Sequence, residues 1–222
     1  MTTPLRNPWI ELRAGGPNAG ARLFCFHGAG GSAQMFRTWS RGLQGVEVCP
    51  IQLPGRLTRM GEPPFTRLAP LVAKLVDALV PELDRPFVFF AHSLGTLVAF
   101  EVTRELRRRG LRLPRHLVVA ARVAPHVPLE PLQLHGLPDD ELVAKVQERY
   151  QSIPETILRE PELLKLVLKP LRADLEIHET YSYRPEAPLA LPITALGGTA
   201  DWMVSRPSLE AWREHTSAAF AS

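Results

Sequence analysis

The sequence predicts an α/β fold in which helices flank a mostly parallel central sheet. Short runs of aromatic and β-branched residues alternate with segments whose apolar residues recur every three or four positions, which is typical of β-α-β units. The 222 residues are 45% hydrophobic and 22% charged, as expected for a globular protein with a buried core. We therefore expect one domain that covers residues 1–222.

Five segments have the composition of buried strands, and turn residues follow most of them. These segments are residues 22–26, 46–53, 86–90, 115–121 and 191–196. Helical periodicity covers about residues 33–43, 68–83 and 94–110. Ser205 is placed to cap a last helix that continues through Trp212.

The alternation of strands and helices is interrupted between residues 127 and 188. Three prolines open this segment, and short helices are predicted near residues 139–150, 155–168 and 171–181. Helices inserted between two strands predict a lid over a pocket at the carboxyl edge of the sheet. Leucines of this segment either line an acyl pocket or pack the lid itself; they are Leu129, Leu132, Leu142, Leu163 and Leu166.

Charge and cysteine usage argue against several other classes of protein. The net charge of +3 comes largely from arginines of residues 104–112, which lie at a helix end and have no aromatic residues among them, so we expect no nucleic-acid partner. Cys25 and Cys49 lie inside predicted strands, which favours buried free thiols over a disulfide or a metal pair. Residues 1–9 do not resemble a secretory signal, and no apolar run approaches the roughly 18 residues of a membrane span. We expect a cytoplasmic location.

A possible catalytic serine follows the third predicted strand. The string Ala91-His-Ser-Leu-Gly95 lies between that strand and a helix, as in a nucleophile elbow, where small residues flank a serine on a sharp turn. Ala91 takes the place of the usual first glycine. We predict Ser93 as the nucleophile, with a structural serine in a tight turn as the alternative. His92 is expected to pack or form a hydrogen bond beneath the turn.

A glycine-rich loop follows the first predicted strand. Acyl transfer places negative charge on the former carbonyl oxygen, and two backbone N–H groups can stabilise it. We predict that Leu94 supplies one donor and that Ala29, in His27-Gly-Ala-Gly-Gly31, supplies the other. The alternatives are a plain turn or a phosphate-binding loop, although the Lys-Ser/Thr of a P-loop is missing. His27 is expected to anchor this loop.

Asp201 is the predicted acid of a catalytic triad. It follows the last predicted strand and Gly197-Gly198, and in α/β-hydrolases the order along the chain is Ser, Asp or Glu, then His. The alternative is an exposed loop carboxylate. His215 is the only later histidine, and we expect it to face outward from the final helix or to cap its end. With no closing strand apparent after that helix, we expect the C-terminal strand and helix, with the catalytic histidine, to be missing from this chain.

Several longer strings resemble type II thioesterases, the stand-alone editing enzymes of nonribosomal peptide and polyketide synthases. The most specific is Gln52-Leu-Pro-Gly-Arg-Leu-Thr-Arg-Met-Gly-Glu-Pro-Pro64. Others include residues 24–33, the elbow with residues 98–101, Ala124-Pro-His126, Arg172-Ala-Asp174 with residues 181–183, and residues 192–201. The resemblance covers nearly the whole chain and implies an α/β-hydrolase fold.

The resemblance further implies hydrolysis of acyl groups from the phosphopantetheine arm of carrier proteins. Ser93, Asp201, Ala29 and Leu94 take the corresponding roles, no metal or organic cofactor is needed, and we expect a monomer. The chain departs from the family at Ala91 and in lacking a histidine match beyond the last helix. A carrier-binding homologue without activity and a general carboxylesterase therefore remain as alternatives.

Overall fold

Six parallel strands form the central sheet in a computed structural model, which describes residues 7–16, 18–128 and 133–222. The strands are β1 (Ala21–Phe26), β2 (Val46–Pro50), β3 (Phe87–His92), β4 (Leu117–Ala120), β5 (Ile193–Leu196) and β6 (Phe220–Ala221). Their order across the sheet is β2-β1-β3-β4-β5-β6, and every pairing is parallel. The prediction of a mostly parallel α/β fold is confirmed.

The strand predictions are confirmed in number and place for β1 to β5. The expectation that no strand follows the last helix is wrong, because Phe220 pairs with Ile193 and Ala221 with Thr194. A two-residue strand that contains alanine carries almost no compositional signal, and only its pairing with β5 defines it.

Two long helices pack together beside the sheet. They are α1 (Leu68–Leu79) and α2 (Leu94–Arg108). The apolar stripe of α1, which includes Leu71 and Leu75, is buried, and a 3₁₀ turn that contains Pro81 follows the helix. The predicted helix at residues 33–43 is wrong, because two short 3₁₀ helices, Ala33–Phe36 and Trp39–Arg41, occupy this stretch.

Three helices lie between β4 and β5, where the lid is predicted. They are α3 (Asp139–Tyr150), α4 (Glu155–Leu158) and α5 (Pro161–Thr180). The predicted break between helices near residue 170 is wrong, because α5 continues through Pro170. A proline removes one backbone hydrogen bond, and the packing of Leu168, Leu171 and Leu175 in the lid's own core offsets that loss.

Of the lid leucines singled out in the sequence, the three that the structure describes do not line the pocket. Leu142 is fully buried in the core of the lid, whereas Leu163 and Leu166 are exposed. Leu129 and Leu132 lie outside the described residues. Of the two open alternatives, packing of the lid is therefore confirmed for Leu142.

The last helix is short. It is α6 (Arg206–Glu210), which continues as a 3₁₀ helix over Ala211–His215. Ser205 caps it as predicted, since its hydroxyl accepts a hydrogen bond from the Ser208 N–H at 3.3 Å.

Three further sequence-based expectations concern the cysteines, the charged end of α2 and membrane spans. Cys25 and Cys49 are both buried free thiols, as predicted, and burial raises the pKa of Cys49 to about 12. Arg107 and Arg108 at the end of α2 pair with Glu186, which agrees with a charged helix end at the surface. No helix in the described part of the chain combines the length and apolar character needed to cross a membrane.

Candidate active site

The order of the strands brings the glycine loop and the serine turn together. The chain leaves β1 toward β2 on one side and returns to β3 on the other side of β1, so the direction of winding reverses between β1 and β3. Phe26 at the end of β1 pairs with Ala91 near the end of β3. In parallel sheets, ligands bind at such a reversal beyond the carboxyl ends of the strands. The predicted serine and oxyanion loop are therefore neighbours.

Ser93 has the backbone conformation of a strained turn. Its φ of 52° and ψ of −119° are unfavourable for a residue with a side chain, and such strain costs about 1–3 kcal/mol. The Ser93 N–H donates to the Ala120 carbonyl at 2.9 Å, which ties the turn to β4. Its hydroxyl forms no hydrogen bond with any described residue, so a purely structural role for this side chain lacks support.

Close packing explains the small residues around Ser93. A Cβ on Gly95 would lie 2.5 Å from the Phe26 carbonyl oxygen and 2.6 Å from that of His27. Ala91, the residue that replaces glycine, is fully buried in the core. A Cβ on Gly28 would lie 3.3 Å from the Ser93 Cβ. The glycine loop therefore passes directly beside the serine.

Two backbone N–H groups near Ser93 are available to a ligand. Leu94 is the first residue of α2, and the first N–H groups of a helix have no partner within it. The Ala29 N–H donates to no described residue, whereas the neighbouring Gly31 N–H donates to the Gly28 carbonyl at 3.0 Å. Both Ala29 and Leu94 line the same cavity as Ser93.

A buried ion pair anchors the glycine loop, and the sequence analysis missed its role. The Arg56 guanidinium binds both carboxylate oxygens of Asp174 on α5, at 2.7 and 2.9 Å. Asp174 also accepts the Gly30 N–H at 2.8 Å, and Arg56 donates to the Gly31 carbonyl at 3.1 Å. The pair therefore joins the glycine loop, the Pro-Gly-Arg turn and the lid. The Gln52–Pro64 string and Arg172-Ala-Asp174 were noted in the sequence, but their spacing gave no sign that they meet.

The cavity above Ser93 has a volume of about 510 Å³. The loops after β1, β3, β4 and β5 form one side of it, and α3 and α5 of the lid form the other. Its apolar wall contains Val146, Leu171 and Leu175, and its polar wall contains residues that sequence reasoning did not identify: Arg122, Arg149, Tyr150 and His178. The predicted pocket beneath a helical lid is present.

Asp201 lines this cavity, in the loop after β5. Its Oδ1 accepts the N–H groups of Met203 at 2.9 Å and Val204 at 3.3 Å, which fixes the carboxylate on the loop. The structure thus brings all four predicted site residues to one cavity. The role of Asp201 as the acid of a triad stays a prediction.

Three histidines lie near the serine. Burial, together with repulsion from Arg56, lowers the pKa of His27 to about 4. The Nδ1 atom of His27 lies 2.8 Å from the Gly28 carbonyl oxygen, and this contact fits the predicted role of His27 as an anchor of the loop. His92 lines the cavity and packs against Gly28, and its Nδ1 is buried with no partner among the described residues. Burial lowers the pKa of His178 on α5 to about 3, with Arg122 and Arg149 contributing. None of them forms a hydrogen bond with Ser93 or Asp201.

The expectation for His215 is wrong in one respect. This side chain is buried rather than turned outward, with its Nε2 2.7 Å from the His126 Nδ1 and its ring against Phe100 and Trp212. Burial lowers its pKa to about 4. It is the last residue of the 3₁₀ helix Ala211–His215. It is not among the residues that line the cavity.

Comparison with known proteins decides the family. A thioesterase-domain family matches residues 21–221. The chain belongs to the thioesterase family. Within it, the gramicidin S biosynthesis protein GrsT of Aneurinibacillus migulanus is 38% identical over 97% of this chain and 84% of its own length. The solved type II thioesterase BorB from the borrelidin biosynthetic cluster superposes with a TM-score of 0.85 at 35% identity, over 96% of this chain and 86% of BorB.

One similar protein carries a different name. The linear gramicidin dehydrogenase LgrE of Brevibacillus parabrevis is 43% identical over 89% of this chain and 76% of its own length. A dinucleotide site needs a long helix directly after the glycine loop, whereas here a four-residue 3₁₀ helix follows. The family match and these relatives make this chain a thioester hydrolase of the type II thioesterases found in nonribosomal peptide and polyketide pathways.

Proposed function

We propose that this thioesterase hydrolyses acyl or aminoacyl groups from the phosphopantetheine arm of carrier proteins, with Ser93 as its nucleophile. One observation carries the proposal: Ser93 is held in a strained turn and shares its cavity with Ala29 and Leu94, whose N–H groups have no acceptor among the described residues. Strain at a serine whose hydroxyl has no structural partner is expected where function maintains it. GrsT and PikA5, two relatives, are named for gramicidin S biosynthesis and as a thioesterase, which supports a role beside synthases.

The proposed reaction is a two-step acyl transfer. Ser93 Oγ gives its proton to a base and bonds to the thioester carbon, and the N–H groups of Ala29 and Leu94 stabilise the oxyanion. The C–S bond then breaks, and the pantetheine sulfur leaves with the proton. Water adds to the acyl-serine in the same way and releases the carboxylic acid. These steps exchange protons and an acyl group only, so we propose no cofactor.

The base in this scheme is a histidine that Asp201 orients, as the family resemblance implies. His178 is poorly suited, because burial, and after it the nearby Arg122 and Arg149, lowers its pKa and disfavours the protonated form that a base must reach. The identity of the base therefore remains a prediction, as do a monomeric state and a cytoplasmic site of action. The alternatives are a carrier-binding protein without turnover and a general carboxylesterase.

Hydrolysis assays with matched substrates test the proposal. We expect an acyl group on a carrier-bound phosphopantetheine thioester to be released with a kcat/KM at least about tenfold above that of the same acyl group as a simple oxyester, because carrier contacts add binding energy. A fluorophosphonate probe measures activation of Ser93 independently of the substrate. Equal rates on both substrates would favour the carboxylesterase, whereas carrier binding with neither turnover nor labelling would favour the inactive homologue.

A further inference from the structure

Two arginines in the cavity lack the carboxylate partners that the buried arginines of the fold possess. Arg122 follows β4, and Arg149 lies in the last turn of α3; both line the cavity of Ser93. The Nε atom of each is buried and forms no hydrogen bond with any described residue. Neither guanidinium forms an ion pair within the described residues.

Four arginines of the described residues are buried, and all four pair with acids. Arg22 pairs with Glu47, Arg56 with Asp174, Arg59 with Glu62, and Arg104 with Glu101 and Glu186. Burying a cation without a counter-charge is unfavourable, which explains why these pairs form. Among the described arginines that are not exposed, Arg122 and Arg149 are the two without an acidic partner, and both line this cavity.

The charges of the cavity wall are arranged to receive an anion. Burial lowers the pKa of Arg122 to about 10, and the guanidinium remains charged at neutral pH. Among the residues that line the cavity, Asp201 is the one acid, and its Oδ1 is already occupied by two backbone N–H groups. The guanidinium of Arg149 lies over the Trp202 ring at 5.2 Å, next to Asp201 in the chain.

Arg122 is fixed close to the nucleophile. The Ala120 carbonyl, two residues before Arg122, accepts the Ser93 N–H, and the Arg122 carbonyl accepts the Trp212 indole N–H at 2.9 Å. The backbone on both sides of the arginine is thereby tied to the elbow and to the last helical segment. An anion bound by Arg122 would lie in the same chamber as the group attacked by Ser93.

We propose that Arg122 and Arg149 form a subsite for a carboxylate carried on the acyl group of the substrate. The inference rests on the proposed function for the position of the acyl group. The phosphate of the phosphopantetheine arm is the other anion of such a substrate, but the length of the pantetheine arm separates it from the thioester. A cation beside Ser93 therefore favours an anion on the acyl side, as in an acyl group derived from a dicarboxylic acid.

Binding measurements with non-hydrolysable amides test this subsite without requiring turnover. Isothermal titration calorimetry would compare succinyl-pantetheine amide with its neutral isostere, succinamoyl-pantetheine amide. We expect the carboxylate compound to bind at least about tenfold more tightly, because charge-assisted hydrogen bonds to a desolvated guanidinium are strong. Arg122→Met should remove most of this preference and should not lower Tm, since it breaks no ion pair or side-chain hydrogen bond with a described residue.

Arg159→Met is the matched control, because Arg159 is exposed and pairs only with Glu155; it should keep the full preference. Equal binding of the two amides, or a preference that survives in Arg122→Met and Arg149→Met, would overturn the proposal.

The phosphorylated and unphosphorylated forms of the neutral amide provide the second comparison. If the arginine variants change only the difference in affinity between the phosphorylated and unphosphorylated amides, the phosphate is the ligand and the carboxylate assignment is wrong. Failure of the proposed function would instead appear as absent turnover with the binding preference intact.

Discussion

Ser93→Ala is expected to reduce thioester hydrolysis by roughly 10⁴-fold or more, since the acyl-serine cannot form without the hydroxyl. The substitution removes no hydrogen bond, because the Ser93 Oγ has no partner among the described residues. Fold and substrate binding should therefore be retained. The measurement is single-turnover hydrolysis of an acyl-pantetheine thioester, with the protein's Tm recorded in parallel.

Ser93→Gly provides a sharper version of this test. Glycine adopts φ of 52° and ψ of −119° without steric cost, so the substitution relieves strain of about 1–3 kcal/mol in the folded state. Against this, glycine loses more conformational freedom on folding, which costs about 0.5–1 kcal/mol. We expect the free energy of unfolding to stay equal or to rise while activity is lost. Ser40→Gly, in a 3₁₀ helix without a positive φ, should lower stability. Full turnover in either Ser93 variant would remove the serine from its role.

Asp174→Asn is expected to lower the free energy of unfolding by about 3–5 kcal/mol, because it leaves the buried Arg56 charge uncompensated. The pair is almost completely buried, with side-chain exposures of 6% for Arg56 and 1% for Asp174. The substitution also weakens the bond that holds the Gly30 N–H, 2.8 Å from the carboxylate. We therefore expect kcat to fall as well, since Ala29 precedes Gly30 in the oxyanion loop.

The exposed pair of Arg159 and Glu155 is the matched control. Both side chains are about three-quarters exposed, and Glu155→Gln should cost no more than about 1 kcal/mol. The double variant Arg56→Met/Asp174→Leu should recover much of the stability lost in Asp174→Asn, because no buried charge remains, yet it should not recover kcat. Chemical denaturation and hydrolysis rates measure both effects. A loss in Asp174→Asn as small as that in Glu155→Gln would contradict the proposed anchor.

The sheet could be predicted from sequence because its signals are local. The run Phe87–His92 is rich in aromatic residues and alternates buried with half-buried positions, and Gly95 after it permits a sharp turn. The meeting of the glycine loop and Ser93 also follows from local features, once both are placed at the carboxyl ends of adjacent parallel strands. Ala29, Leu94 and Asp201 could be located in the same way.

Contacts that depend on the lid could not be predicted. The bond between Arg56 and Asp174 spans 118 positions, and no periodicity relates a turn to a helix that folds over it. Arg149 and His178 enter the cavity only because α3 and α5 pack above it. Arg122 was within reach of prediction, since it follows a strand at the same edge of the sheet as Ser93. His215 ends a 3₁₀ helix, which amphipathic patterns do not distinguish from an α-helix.

A crystal structure of the chain after reaction with a fluorophosphonate tests the central claim most directly. The account predicts a phosphonyl group bonded to Ser93 Oγ, with its oxygen about 2.7–3.1 Å from the N–H groups of both Ala29 and Leu94. The same structure would show which histidine, if any, approaches Asp201. Phosphonylation at another residue, or an adduct whose oxygen points away from the glycine loop, would contradict the account.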